Sequence, residues 1–122
     1  MSTPDIASPA LVAYKVFTAD QMVQLEADGA FAGAPVDLAD GYIHLSTADQ
    51  LEETVAKHFG GQDNLHIVAV DLEALGGMVK WELSRGGALF PHIYGALPLT
   101  AVTAYGALER GPDGKVRLPV TG

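Results

Sequence analysis

The order of helix and strand signals along the chain is the feature that most restricts its fold. Thr18 and Thr47 each precede a glutamine by three residues, which is the spacing of a capping box at a helix start. The two helices are predicted to end near Gly29 and Gly60. Strand patterns dominate the second half, where Leu65 to Val70 is a continuous β-rich run. Helices early and strands late favour an α+β fold with a mixed or antiparallel sheet.

Shorter patterns complete the predicted order of elements. Alternating or β-branched residues indicate further strands over residues 13–17, 42–46, 78–83, 100–108 and 115–118. A helical turn is expected near Leu72, and the glycines and proline of residues 31–41 indicate a loop. Residues 84–98 mix chain-breaking residues with large side chains and have no regular period. Long irregular segments inside compact domains often carry function.

Length and composition indicate one domain. With 122 residues and 48% hydrophobic residues, the chain can bury one core and has no room for a second. Prolines and small polar residues at the start predict a flexible leader over residues 1–12, followed by a single domain over residues 13–122. Since cysteine is absent, disulfides, thiolate catalysis and thiolate metal sites are excluded.

The charge distribution narrows the classes of partner. Seven basic and fifteen acidic residues give a net charge of −8, which argues against broad nucleic-acid binding. Residues 1–61 hold two cations and nine carboxylates, whereas residues 62–122 hold five cations and six carboxylates. An anionic ligand is therefore expected to meet the second half. No apolar run approaches the roughly 20 residues of a membrane span, so we expect a cytoplasmic protein without membrane contact.

The strand predicted over residues 42–46 places three polar residues on one surface. Alternation puts Tyr42, His44 and Ser46 on the same face. His44 is then either a half-buried structural histidine, with Ser46 only capping the next helix, or part of a site. His92 and Tyr94 share a face in the same way if their segment is extended, and His92 carries the same two alternatives.

The remaining histidines have simpler explanations. His58 lies at the end of the second predicted helix, where its interaction with the helix dipole accounts for it. His66 begins a strand and is expected at a surface or edge. No two histidines have the i, i+4 spacing of a helical zinc site, so no metal site is predicted.

The region around Arg85 holds the other candidate side chains. Arg85 precedes two glycines, where a guanidinium can bind a phosphate or carboxylate with two hydrogen bonds. The alternative is a salt bridge to Glu82 or to the acidic first half. Glu82 is either that partner or a candidate acid and base. Trp81 is either a core residue or a ring that stacks on a flat ligand.

Five blocks of sequence resemble a known family. The blocks are Asp40 to Thr47, His58-Phe59, Trp81-Glu82 with Ser84 to Gly87, Phe90 to Gly95, and Leu97 to Leu99. Together they resemble the bacterial family catalogued as domain of unknown function 952, over about Tyr14 to Leu108. The blocks are long and ordered, so the resemblance is specific.

This resemblance implies a fold similar to that of ADP-ribosyltransferases, which is a split β-sheet with a cleft for NAD or an ADP-ribosylated group. In such proteins a strand histidine contacts the ribose and nicotinamide region, and His44 with Ser46 corresponds best to it. Many transferases also carry a catalytic glutamate on a late strand. Here the strand predicted over residues 100–108 has none, and Glu109 follows it. A related branch that removes a 2′-phosphate from RNA holds phosphates with His and Arg.

The resulting hypothesis is a single α+β domain with two helices from its first half on a split sheet. Its cleft takes a nucleotide-type ligand, namely NAD as a substrate, ADP-ribose or a phosphorylated ribose, and no resident cofactor or metal is predicted. The proposed catalytic residues are His44, His92 and Glu82. The proposed ligand-binding residues are Ser46, Trp81, Arg85 and Tyr94. The main alternative is a non-catalytic binding protein, an inactive relative of such enzymes, and a weaker one is a phosphoesterase that uses the two histidines.

Overall fold

Residues 11–83 and 87–119 are described by a computed structural model, in which short helices connect antiparallel strands. The strands are β1 (Val12–Thr18), β2 (Ala30–Phe31), β3 (Ile43–His44), β4 (Leu65–Asp71), β5 (Val79–Leu83), β6 (Leu89–Ile93), β7 (Leu97–Pro98) and β8 (Val102–Ala107). The α-helices are α1 (Ala19–Asp28), α2 (Pro35–Asp40), α3 (Ala48–His58) and α4 (Leu72–Leu75). This arrangement confirms the α+β class. Val12, the last residue of the predicted leader, already begins β1.

The strands of the described residues form three sheets in which every pairing is antiparallel. One sheet has the order β1-β4-β8, another has the order β3-β6-β5, and β2 pairs with β7. Tyr14 of β1 also pairs with Ser46, just beyond β3. This bridge brings one edge of the first sheet against the end of β3, where the strand histidine lies.

Local sequence accounts for the two longer helices. Thr18 caps α1 by accepting from the Gln21 N–H at 3.2 Å, and the Gln21 side chain accepts from the Thr18 N–H at 2.9 Å. Thr47 and Gln50 repeat this exchange at α3. Gly29 ends α1 with φ of 72°, a left-handed conformation that glycine adopts without strain. Both predicted helices are therefore confirmed, and Thr47 rather than Ser46 caps α3.

Two segments that were expected to be irregular contain regular structure. The predicted loop over residues 31–41 includes α2, which begins at Pro35 and has Asp37 accepting from the Ala34 N–H at 2.8 Å. Residues 84–98 include β6 and β7. The prediction failed there because Pro91 lies within β6, and proline normally disfavours a strand interior. Its carbonyl still accepts a hydrogen bond from Leu45 just past the end of β3.

The apolar core lies between the sheets and α1. Its larger cluster includes Phe17, Leu25, Phe31, Ile43 and Ile93, all nearly inaccessible to solvent. A second cluster packs α3 on the other face of β1 and β4. Near the C-terminus, the strand predicted over residues 115–118 is limited to a single bridge. Within the described ranges, no helix has the length and apolar character to cross a membrane.

Candidate functional site

A cavity of about 630 Å³ lies along the outer edge of β1, between α2 and the C-terminal half of α3. The chain just after β3, together with β6, closes another wall. Its ionisable and polar lining residues are Tyr14, Lys15, Thr18, Gln21, Asp37, Asp40, His44, Ser46, Thr54, His58, Gln62 and His92. This volume falls in the range of roughly 300–1,000 Å³ that is typical of small-molecule sites.

The residues predicted from sequence fall into three groups. The cavity is lined by His44, Ser46 and His92. The structure also describes three that do not line it, which are Glu82, Tyr94 and Trp81. Arg85 lies outside the described residues 11–83 and 87–119. His58, explained from sequence by its helix end, lies in the last turn of α3 and lines the cavity.

Strand pairing brings both candidate histidines to one face of the β3-β6-β5 sheet. His44 pairs directly with His92, and their ring centroids are 5.3 Å apart. The Tyr42 ring stacks on His92 at 4.2 Å and also lies 5.2 Å from Tyr94. Alternation along β5 puts Glu82 on this face. The sheet therefore gathers five of the polar and aromatic side chains that lie in separate segments of the sequence.

Glu82 orients the imidazole of His92. Nδ1 of His92 lies 2.7 Å from Glu82 Oε1, and the Tyr94 hydroxyl donates to the same carboxylate at 2.8 and 3.0 Å. The hydrogen bond from His92, then that from Tyr94, holds the pKa of Glu82 below its usual range. Since an ionised carboxylate only accepts, Nδ1 is the donor. A neutral His92 therefore carries its free lone pair on Nε2.

Nε2 of His92 has an unusual environment. The residue is 2% exposed, and this nitrogen is buried without a hydrogen-bond partner among the described residues. The great majority of buried polar side-chain atoms in proteins are paired. His92 also lines the cavity, so a hydrogen-bond partner for this nitrogen has to come from outside the described residues.

Asp37 is the centre of a second, fully paired network. Its Oδ1 accepts from the His44 N–H at 3.1 Å and lies 2.6 Å from His44 Nδ1. Its Oδ2 accepts from the Ala34 N–H and pairs with Lys15 Nζ at 3.0 Å. Burial raises the pKa of Asp37, but Lys15 and the hydrogen bonds from His44 and Ala34 outweigh it and lower the pKa overall. All four acceptor positions of this carboxylate are occupied.

His44 and Lys15 complete this network differently. His44 Nε2 lies 2.9 Å from Asp40 Oδ2, so both ring nitrogens face carboxylates and are donors when each carries a proton. Lys15 is 9% exposed and donates to the His44 carbonyl as well as to Asp37, which leaves one N–H without a partner in the described ranges. Burial lowers the pKa of Lys15 against the opposing effect of Asp37.

Ser46 presents an acceptor to the cavity. The Thr54 hydroxyl donates to the Gln50 carbonyl at 3.1 Å, which uses its proton. The 2.8 Å contact between Ser46 Oγ and Thr54 Oγ1 is therefore donated by Ser46. Because this proton is used, the buried Ser46 hydroxyl can only accept from a ligand.

Trp81 and Glu109 lie away from these networks. Trp81 is half-buried against the main core cluster, on the face of β5 opposite Glu82. Glu109 follows β8 and is exposed in a separate shallow hollow. β8 carries no glutamate, as the sequence indicated. Among the residues that the structure describes, no three His, Cys, Asp or Glu side chains are grouped to hold a metal ion.

Sequence reasoning missed the residues around His44. Asp37 and Asp40 were assigned to a loop, and the short α2 instead brings both carboxylates to the histidine. Lys15 did carry a signal, since it stands inside the otherwise apolar strand Ala13 to Phe17. A lysine at such a position needs a buried partner, and Asp37 supplies it.

Comparison with known proteins identifies the family and the fold. The family described as "Protein of unknown function (DUF952)" matches residues 16–105. The crystal structure of protein CC0527 from Caulobacter crescentus is 46% identical, covers 87% of this chain and 93% of that chain, and superposes with a TM-score of 0.79. Its solution NMR structure is 46% identical over 87% of this chain and 91% of that chain, with a TM-score of 0.74. The search of curated proteins found no match to this chain.

Proposed function

We propose that this chain, which belongs to the DUF952 family, binds a nucleotide-type small molecule in its cavity and exchanges a proton with it at His92. The observation that carries the proposal is Nε2 of His92, which is buried without a hydrogen-bond partner among the described residues although His92 lines the cavity. Glu82 fixes the ring and its tautomer from the other side. A histidine held in this way is a general base ready for use.

The cavity wall suits the parts of a nucleotide. Phe59 and Phe90 line it and offer apolar surface to a base. His92 Nε2 and Ser46 Oγ are acceptors for ribose hydroxyls, and the remaining N–H of Lys15 is a donor for a phosphate oxygen. NAD, ADP-ribose and phosphorylated ribose all combine these groups. Arg85, outside the described residues, keeps its proposed phosphate-binding role.

The chemistry proposed for His92 is a single proton transfer. Neutral Nε2 accepts the proton of a ligand hydroxyl or of a water molecule: the N–H bond forms as the O–H bond breaks, and the electron pair stays on the oxygen. The resulting imidazolium is stabilised by Glu82. In this proposal Glu82 supplies the carboxylate that ADP-ribosyltransferases carry on a late strand. The similarity to that fold stays a prediction, and the split antiparallel sheets beside a cleft are consistent with it.

Titration calorimetry with NAD, ADP-ribose and AMP tests the proposal. We expect heat of binding from at least one of them, and a loss of at least about tenfold in affinity for His92→Gln, since a buried acceptor is removed. His66→Gln is the matched control, because His66 is a half-buried strand histidine that does not line the cavity. Absence of heat with all three at protein concentrations that detect millimolar affinity would sink the proposal.

A non-catalytic binding protein is the second candidate. The observation in its favour is that both ring nitrogens of His44 already face carboxylates, so this histidine contacts a ligand only after rearrangement. The two candidates differ in what happens to the bound molecule. Mass spectrometry of the ligand after incubation shows a His92-dependent product if the chain is an enzyme and the unchanged ligand if it only binds.

A further inference from the structure

One stretch of main chain at the cavity wall has hydrogen-bonding groups that no described residue uses. The N–H of Tyr14 donates to the Ser46 carbonyl at 2.7 Å, and the N–H of Ser46 donates back to the Tyr14 carbonyl at 2.8 Å. In an antiparallel ladder both polar groups of one residue point to the same side, and successive residues alternate. The main-chain N–H and C=O of Tyr14 therefore point away from β4. Those of Val16, two residues further along β1, point the same way.

The register of β1 on β4 agrees with this alternation. Lys15 pairs with Val68, and Leu72 donates to the Leu11 carbonyl, so the odd-numbered residues of β1 face β4. The next outward residue after Val16 is Thr18, whose N–H is already taken by the Gln21 side chain. Within residues 14–18, Val16 is thus the residue whose outward N–H and C=O both lack a partner in the described part of the chain.

The burial of Val16 makes its unpaired N–H and C=O significant. Val16 is 4% exposed and lines the cavity. A buried main-chain N–H or C=O without a partner is rare, because its desolvation is not compensated. The outward N–H and C=O of Val16 thus lack hydrogen-bond partners in the same way as Nε2 of His92, although the two residues belong to different strands. Both are polar groups of buried residues that line the same cavity.

We propose that the main-chain N–H and C=O of Val16 form a recognition edge for an amide-type group, in which a carbonyl and an N–H stand side by side. A single strand residue offers one donor and one acceptor in a fixed geometry, and it pairs with the same two groups in reverse order. The lactam edge of a nucleobase such as hypoxanthine or uracil carries this pair rigidly, so no internal rotation is lost on binding. The inference rests on the proposed function and narrows its ligand to one that carries an amide or lactam group, which adenine lacks.

The proposed edge discriminates between bases that differ by one methyl group. Methylation of the lactam nitrogen removes the donor and leaves the Val16 carbonyl buried without a partner. Leaving one buried polar group unpaired costs about 1–3 kcal/mol, which corresponds to a loss of about 5- to 150-fold in affinity. A contact through ribose and phosphate alone predicts no such difference.

Calorimetry with two matched pairs of nucleosides measures this effect. We expect inosine to bind at least about fivefold more tightly than 1-methylinosine, and uridine at least about fivefold more tightly than 3-methyluridine. Equal affinities within a pair, together with His92-dependent binding, would overturn the recognition edge while the proposed function stands.

A second measurement tests the edge without any nucleoside. In ¹⁵N and ¹³C NMR spectra, 2-pyrrolidone is expected to shift the Val16 amide and carbonyl signals, with Ala104 of β8 as the unaffected reference. N-methyl-2-pyrrolidone, which lacks the donor, is expected to leave the Val16 carbonyl in place. No shift at Val16 with 2-pyrrolidone contradicts the recognition edge, and it does so even if no nucleotide binds. A Val16 shift without binding of NAD, ADP-ribose, AMP or the nucleosides supports the edge and rejects only the proposed function.

Discussion

The two histidines of the β3-β6 pair occupy opposite situations although they lie side by side. His44 is held between Asp37 and Asp40, so each of its ring nitrogens faces a carboxylate. His92 is held by Glu82 on one side, and its other nitrogen is buried without a partner in the described ranges. The first histidine is more exposed yet fully engaged, whereas the second is almost completely enclosed yet half engaged.

This difference leads us to expect a structural role for the Asp37 network and a ligand-binding role for His92. A carboxylate with four occupied acceptor positions ties α2, β1 and β3 together, and a ligand gains nothing by competing for it. In the proposed function, the oriented imidazole of His92 uses its second nitrogen, which has no partner in the described ranges, to accept a proton. We therefore expect changes in the Asp37 network to affect stability first, and changes at His92 to affect binding first.

The largest effect is expected from Asp37→Asn. The substitution keeps the shape of the side chain but leaves Lys15 buried without its counter-charge. Breaking a buried ion pair on one side costs about 3–5 kcal/mol, and urea denaturation at pH 7 measures it. Asp63→Asn, at an exposed position, is the control and should change stability by less than about 0.5 kcal/mol. A loss below about 1 kcal/mol for Asp37→Asn would show that the network is not a scaffold.

The order of the effects of His44→Gln and His92→Gln is expected to reverse between a stability assay and a binding assay. His44→Gln removes contacts to two carboxylates and should lower the free energy of unfolding by about 2 kcal/mol, more than His92→Gln does. For binding of the nucleotide found by calorimetry, His92→Gln should have the larger effect. The same rank order in both assays would remove the distinction between the two histidines.

Thr54→Val tests whether α3 stabilises the cavity wall through the hydrogen bond between Thr54 and Ser46. Valine keeps the volume of threonine but removes the acceptor for Ser46 and the donor to Gln50. We expect a loss of about 1 kcal/mol in urea denaturation. Ser46→Ala in the Thr54→Val background should then add little, because the two hydroxyls act as one unit. Fully additive losses would contradict the hydrogen bond between Ser46 and Thr54.

The smallest effect concerns the pH dependence that Glu82 contributes. Hydrogen bonds from His92 and Tyr94 hold the folded-state pKa of Glu82 below its ordinary value of 4.5. The folded protein therefore keeps this carboxylate ionised where the unfolded chain already binds a proton, so the stabilisation is full above about pH 4.5 and is lost as the pH falls through the folded pKa. The stability difference between the native protein and Glu82→Gln, measured in urea, should be present at pH 7 and shrink by pH 3. A difference that grows in acid contradicts this sign.

Local pattern was sufficient to predict much of this molecule. Capping boxes at Thr18 and Thr47 fixed both longer helices, since these hydrogen bonds join residues only three apart. Alternation correctly placed Tyr42 and His44 on one face of the sheet, and likewise His92 and Tyr94. The family also followed from the sequence blocks, and the match over residues 16–105 confirms it.

The sequence by itself determined the two longer helices, most of the longer strands, the α+β class and the side chains that are available for chemistry, because propensity, capping and strand alternation act over a few residues. Only the tertiary structure decided which of those side chains meet. The register of β3 on β6 sets His44 against His92, and α2 carries Asp37 to Lys15. Such contacts join residues far apart in the chain, and they depend on how whole faces pack and not on any local signal. The same packing enclosed the His92 nitrogen and the outward edge of Val16, the two groups on which the proposals rest.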